Sequence, residues 1–294
     1  MLHNLQKDFL RRHIGPSEED QKKMLSELKY NSLDDLIKNT VPEKIQFKGE
    51  LNIGESNSEY EALRKLKVIS KKNQIYSNFI GMGYYGTYTP YVILRNILEN
   101  PGWYTAYTPY QAEIAQGRME ALINYQTMVT DLTGMEISNA SLLDEGTAAS
   151  EAMTMFFRVR KGPKKKAFKF FVSNKIFPQT IELLKTRSEP LGIELVIDEL
   201  DKFNCGDDYF GALFQYPDND GNIVDLSSYL EKARSKSIFT CVASDLMSLV
   251  LLKSPGEMGA DAVVGNSQRF GVPMGYGGPH AAFYATKEEF KRHI

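Results

Sequence analysis

The sequence is poor in cysteine. Cys205 and Cys241 are its only two, 36 positions apart, with no CxxC pair and no histidine at ligand spacing. That pattern argues against a disulfide framework and against a zinc site, so no metal is expected. Two free thiols suit a reducing compartment. Long apolar runs are missing too: none approaches the roughly 18 residues of a membrane span. Neither sign of charge is in excess, with 35 basic and 37 acidic residues and a net charge of −2. There is thus no electrostatic case for nucleic acid or an anionic membrane as the main partner. The opening stretch MLHNLQKDFLRRHIGP is basic and amphipathic, but it lacks an apolar h-region and a cleavage site and contains Asp8. It reads as the start of a structured segment rather than as a transit peptide. Tryptophan occurs once, against 16 Tyr and 16 Phe, and the tyrosines cluster.

What is present is an ordinary globular composition, 42% apolar and 24% charged over 294 residues. That length suits one large domain or two smaller ones and buries a sizeable core. Residues 1–70 read as a helical arm. PSEEDQKKMLSEL carries Ser17 ahead of a first turn of acids, NSLDDLIKNTVP has Ser32 as cap and Pro42 as stop, and SEYEALRKLKVISKKN is capped by Ser58. From residue 71 the character changes. A Gly-, Pro-, Tyr- and Thr-rich segment over 75–115 leads to a long helix ending at Gly134, with Met119, Leu122, Ile123, Met128 and Leu132 as its apolar stripe. Then short β-branched or aromatic runs (167–173, 193–199, 209–217, 239–245, 260–267, 280–286) alternate with helices, and KEEFKRHI reads as a closing helix. Alternation of this kind predicts an α/β fold with a mostly parallel sheet. The expected division is a helical arm over 1–70 and a large domain over 71–294.

Several stretches invite a functional reading. GMGYYG (81–86) has the letters of a dinucleotide fingerprint but not the context. No strong strand precedes it, Pro90 breaks the helix that should follow, and Glu99 lies too close to be the ribose acid. Tyr84, Tyr85 and Tyr88 beside flexible glycines suit a cleft or an interface. SLLDEGTAASEAM opens a helix on small residues at Gly146 and Thr147, a shape that admits an anion, although Asp144 and Glu145 would oppose one. YTAYTPYQAEIAQGR gathers Tyr107, Tyr110, Gln111, Glu113 and Gln116. Glu113 could serve as acid or base, or be simply solvated. His280 opens a strand after two glycines and a proline. Asp245 ends a strand, where ligands gather in such folds, and could bind one or cap the next turn. In VGNSQRFGVPMGYGGPHAAFY the basic residue three positions after Asn266 is Arg269. An arginine stays protonated and cannot form a Schiff base as a lysine can.

At these residues a resemblance emerges. RRHIGPSEEDQKKML, FIGMGYYGTYTPYVILRNILENPGWYTAYTPYQAEIAQGRMEAL, SLLDEGTAASEAM and GNSQRFGVPMGYGGPHAAF are similar to the amino-terminal half of the P-protein family of the glycine cleavage system, glycine dehydrogenases of the decarboxylating type. The similarity runs from about residue 10 to the end. It implies the type I pyridoxal-phosphate transferase fold, of aspartate-aminotransferase type. It also implies glycine decarboxylation on pyridoxal 5'-phosphate, with the aminomethyl group passed to the lipoyl arm of the H-protein. In that family both halves share the fold and only the carboxyl-terminal half carries the cofactor lysine. The resemblance places that lysine's position on Arg269. It places the position of the aspartate that faces the pyridine nitrogen on Val242, or on Ala243 with a one-residue slip.

The implied role is therefore a non-catalytic partner, with no catalytic or cofactor-binding residue of its own, completed by a carboxyl-terminal half or subunit that holds the cofactor. Tyr84, Tyr85, Tyr107, Tyr110, Gln111, Glu113, Gly146, Thr147, Arg269 and His280 are expected along the substrate channel or the interface, with Arg269 holding an acidic group. The family's small carboxyl-terminal domain is missing, so the chain reads as a truncated product, inactive alone. The implied location is the cytoplasm, or the mitochondrial matrix in a eukaryote. A stand-alone binding or regulatory module of the same fold is the alternative. An independently active lysine enzyme would have to use Lys253, which precedes the PGEMGAD turn and is misplaced for that role.

Overall fold

The computed structural model describes residues 12–104, 108 and 111–294. The chain divides between Ser77 and Asn78 into two compact units. The first is built of helices that declare their own ends. In α1 (Glu18–Glu27) the Ser17 hydroxyl accepts from the Asp20 N–H while the Asp20 carboxylate accepts from the Ser17 N–H. α2 (Leu33–Thr40) is capped by Ser32, and α3 (Glu59–Ser70) by a second such box between Ser58 and Glu61. Each cap satisfies amide groups that a helix start leaves unpaired, worth about 1 kcal/mol.

The second unit centres on one seven-stranded sheet. Its strands are β1 (Ile137–Ser138), β2 (Lys169–Ser173), β3 (Glu194–Asp198), β4 (Tyr209–Tyr216), β5 (Phe239–Ser244), β6 (Ala262–Asn266) and β7 (Ala282–Thr286), in the spatial order β1-β7-β6-β5-β4-β2-β3. The pairs from β6 through β5, β4 and β2 to β3 are parallel, and β7 is antiparallel to both β6 and β1. The longer helices are α4 (Met119–Thr133), α5 (Glu145–Val159), α6 (Pro178–Ser188) and α7 (Ser227–Ser235).

Both faces of the sheet are covered, which is why β4 is buried along its whole length. Tyr209, Ala212, Phe214 and Tyr216 enter one apolar cluster with Val129 of α4 and Leu230 of α7. Phe210 and Leu213 enter the other, with Ala152, Met153 and Phe156 of α5 and Leu184 of α6. Each of the larger side chains, such as Phe214, Leu213 and Met153, contributes about 1.5–3 kcal/mol on burial. Gly211 is required by close approach, because a Cβ there would lie 2.8 Å from the Phe170 ring.

Two expectations need correction. In α4, Met119, Ile123 and Met128 are exposed, while Tyr125, Val129 and Leu132 pack on the core. Leu132 of the expected stripe does pack, but the helix is apolar on more than one side, so spacing alone also drew in exposed residues. The closing segment forms only a 3-10 turn, Glu288–Phe290, anchored by buried Phe290. The two-residue strand β1 was not expected at all. Both cysteines are free and buried. Among the described residues no helix is long and apolar enough to cross a membrane, and no cluster of His, Cys, Asp and Glu could hold a metal ion.

Candidate functional site

The carboxyl ends of β4, β5 and β6 open into a cleft of about 490 Å³. This is where parallel α/β sheets place their ligands, since the loops leaving neighbouring strands diverge there. β4 contributes Gln215 and the following loop Asp218 and Asp220. Asp245 follows β5, Asn266 ends β6, and Arg269 follows it. Glu145, the first residue of α5, comes in from the side, and the glycine-rich segment around Gly81–Tyr85 forms the roof.

Arg269 is fully engaged. Its Nε donates to Asp245 Oδ1 at 3.0 Å and its Nη2 to Oδ2 at 2.7 Å. The guanidinium carbon lies 3.5 Å over the Tyr85 ring centre, a cation–π contact made while both nitrogens hold Asp245, which a lysine's single ammonium could not reproduce. Asp245 also accepts from the Met247 N–H at 3.1 Å, so it binds and caps at once. Burial first, then the Asp245 charge, push the Tyr85 phenol up, with Arg269 opposing.

The segment carrying Tyr85 is strapped to the turn after Arg269. The Tyr85 N–H donates to Gln268 Oε1 at 3.3 Å, the Thr87 hydroxyl to the Val272 carbonyl at 2.8 Å, and the Thr89 hydroxyl to the Gly271 carbonyl at 2.5 Å. Gly271 is needed there, with φ +113° and a Cβ position only 3.1 Å from the Tyr88 carbonyl.

Glu145 is the unusual group. It is 8% exposed. Its Oε2 accepts from Asn266 Nδ2 at 3.4 Å, whereas Oε1 is buried without a partner. Burial raises its carboxyl to about 7, the Gln215 and Asn266 amides offset part of that, and the charges of Asp245 and Asp144 add to it. Gln215 donates to the Ala243 carbonyl at 3.2 Å, and its own Oε1 is also unpaired.

Of the residues singled out from sequence, Tyr85 and Arg269 meet in the cleft. Tyr84, Gly146 and His280 line a smaller adjoining recess of about 200 Å³, with the Tyr84 and His280 rings perpendicular and 4.8 Å apart. Gly146 is buried under α6, where a Cβ would lie 3.1 Å from Leu183 Cδ2, so its smallness also serves helix packing. The Thr147 N–H is taken by Asp144 Oδ1 at 2.6 Å. Gln111 and Glu113 are exposed and line neither recess. Tyr107 and Tyr110 lie outside the described residues. Sequence reasoning missed Gln215, Asp218 and Asp220, and read Glu145 only as half of an acidic pair. Gln215 did leave a signal, as a lone amide in the otherwise apolar run YFGALFQY.

Residues 11–294 match the glycine cleavage system P-protein family. The chain belongs to that family. A glycine dehydrogenase (decarboxylating) of Pelagibacter ubique is 61% identical over 292 residues, 99% of this chain and 30% of that protein. One from a Nostoc species is 56% identical over 287 residues, 98% of this chain and 29% of that protein. The chain thus spans about 30% of the length of these P-protein relatives. A crystal structure of glycine decarboxylase (P-protein) of the glycine cleavage system, in inhibitor-bound form, superposes with a TM-score of 0.85 at 31% identity, covering 95% of this chain and 63% of that one. The apo cysteine desulfurase of Thermococcus onnurineus superposes at 0.50 and 14% identity over 73% of this chain and 54% of its own, a likeness of fold alone. The large unit has the type I pyridoxal-phosphate transferase fold, with its mostly parallel sheet.

That fold implies pyridoxal phosphate bound through a lysine, and the residues present in this P-protein chain do not fit it. Among the described residues no lysine lines either recess. At Arg269, where the resemblance put the lysine, the charge is committed to Asp245. Val242 and Ala243 are buried between the flanking strands, so neither candidate position offers the pyridine nitrogen a carboxylate. The start of α5, the one helix opening that the sequence offered to an anion, is capped by the Asp144 carboxylate and carries Glu145, which does not favour an anion there. Lys253 is exposed and lines neither recess.

Proposed function

We propose that this chain is the amino-terminal, non-catalytic portion of a glycine dehydrogenase (decarboxylating), which supports glycine decarboxylation and aminomethyl transfer to the lipoyl group of the H-protein without performing the chemistry in its own cleft. Pyridoxal phosphate is held by a carboxyl-terminal half or subunit, and glycine turns over there, in the cytoplasm or the mitochondrial matrix. One observation carries the reading: Arg269, which the resemblance aligns with the Schiff-base lysine, is ion-paired to Asp245 and lies over the Tyr85 ring.

In this reading the Arg269–Asp245 pair has a structural duty. It closes the end of the sheet and, through Tyr85 and the hydroxyls of Thr87 and Thr89, fixes the glycine-rich segment in one conformation. A fixed segment presents Tyr84 and the neighbouring exposed Tyr88 to a partner half at little ordering cost. The division into a helical arm and a large domain belongs to the same proposal, the arm serving as packing surface. The test is complementation: the chain is mixed with a separately made carboxyl-terminal portion of a P-protein and glycine-dependent carbon dioxide exchange is assayed with lipoylated H-protein. Activity of the mixture that neither component has alone is expected. Activity of this chain alone would overturn the reading.

A further inference from the structure

Among the described residues the cleft carries four carboxylates, Glu145, Asp218, Asp220 and Asp245, against one lining cation, Arg269. Their situations differ. Asp245 is neutralised by Arg269, and Asp220 by Lys175 at 2.5 Å. Asp218 is turned to its own loop, where Oδ1 accepts from the N–H groups of Asp220 and Asn222. Among the described residues Glu145 has no cationic partner, and its Oε1 has no partner within hydrogen-bonding distance and angle. Gln215, 7% exposed and lining the same cleft, has its Oε1 in the same condition. Buried acceptors left empty are rare and costly, and both of these call for donors. We propose that the cleft is a receptor for a primary ammonium group, with Glu145 Oε1 and Gln215 Oε1 as its acceptors.

The chemistry is specific. An ammonium brings three donors and no acceptor, matching two empty acceptor oxygens and supplying the charge that Glu145 lacks. A water molecule would fill the hydrogen bonds but leave the carboxylate uncompensated. A metal ion is disfavoured, because no group of three His, Cys, Asp or Glu converges among the described residues. The cleft, at about 490 Å³, also has room for an alkyl chain behind the amine. A proton is the natural competitor: with its carboxyl raised to about 7, Glu145 must be ionised before it can hold the ammonium. The other titratable or charged groups around it are Asp144, Asp245, Asp218, Asp220, Arg269, Tyr84, Tyr85 and His280. The proposal rests on the cofactor-free reading of this cleft, yet the two fail separately. A pyridoxal adduct is read by mass, ammonium binding by resonance shifts.

The experiment is a titration of the whole chain with methylammonium chloride, following the side-chain amide resonances of Gln215 and Asn266. Tetramethylammonium, which has no N–H, is the control. Saturable shifts with methylammonium alone are expected, about tenfold weaker at pH 6 than at pH 8 as protonated Glu145 is favoured. Glu145→Gln, of the same shape, is expected to abolish both binding and its pH dependence. Nα-acetyl-lysine methylamide identifies the source: tighter binding than methylammonium indicates a lysyl side chain of a protein, and equal or weaker binding a free small amine. Equal shifts from tetramethylammonium, no shift at pH 8, or unchanged binding in Glu145→Gln would overturn the proposal.

Discussion

Arg269 and Asp245 meet through two parallel hydrogen bonds, 3.0 and 2.7 Å, where β5 and β6 end, with Tyr85 stacked against the guanidinium. Both side chains are about one-fifth exposed, at 21% and 22%. The pair is therefore partly screened and weaker than a fully buried one. Arg269→Ala strands Asp245 and unstacks Tyr85, and is expected to cost about 1–2 kcal/mol in a denaturant melt. Faster amide hydrogen exchange over residues 84–89 should accompany it, because the strap loses its anchor. Unchanged exchange there would remove the anchoring role.

Arg269→Lys restores the residue type that a Schiff base needs, but nothing else. Val242 remains in the core and Asp144 and Glu145 remain at the start of α5. No stoichiometric pyridoxal-phosphate absorbance band is expected from this variant, together with a stability loss of about 1 kcal/mol for the missing bidentate and stacking contacts. A stable band would mean that the lysine alone had been lacking.

Glu145 makes stability depend on pH. Its carboxyl is raised from 4.5 to about 7 in the folded chain, so the folded state holds the proton more tightly than the unfolded chain. The contribution is complete below about 4.5 and is lost as pH rises through about 7, on the order of 3 kcal/mol. Glu145→Gln should flatten that part of the profile and leave the variant more stable than the parent at pH 8, as read by urea melts at pH 5 and pH 8. A parent profile that rises across this window would contradict the assignment.

Gly265 sits in β6 against the neighbouring strand. A Cβ there would lie 2.3 Å from the Ser244 carbonyl oxygen and 2.7 Å from the Phe283 ring. Backbone cannot yield as a side-chain tip can, so Gly265→Ala is expected to cost at least about 3 kcal/mol and to depress soluble yield. Gly146→Ala meets only the flexible end of Leu183 at 3.1 Å and should cost about 1 kcal/mol. Comparable losses from the two, measured side by side, would go against this reading of the packing.

Local features were readable in the sequence because their causes are local. Ser17, Ser32 and Ser58 cap helices through hydrogen bonds three residues away, and Gly134 ends α4 at φ +69° because glycine tolerates that backbone. The strands of the sheet other than β1 announced themselves as short apolar runs. The packed face of α4 did not, since apolar residues lie on several of its sides. The antiparallel turn into β7 did not either, because pairing is decided by where the loop after β6 returns the chain. Arg269 was legible as an anomaly at a motif position, but its partner was not named, since Asp245 lies 24 residues away. That Glu145 and Gln215 line one cleft is a product of the assembled sheet, which brings the head of a helix to the end of a central strand.

The most direct measurement of the central claim is cofactor capture. Pyridoxal phosphate is added to the purified chain, the mixture is reduced with borohydride, and the protein mass is determined before and after. The account predicts no stoichiometric adduct, because no lysine among the described residues lines the cleft and Asp144 and Glu145 stand at the start of α5. A stoichiometric adduct on one lysine of this chain would contradict it, and mapping that lysine, with Lys253 tried first, would show where the cofactor binds.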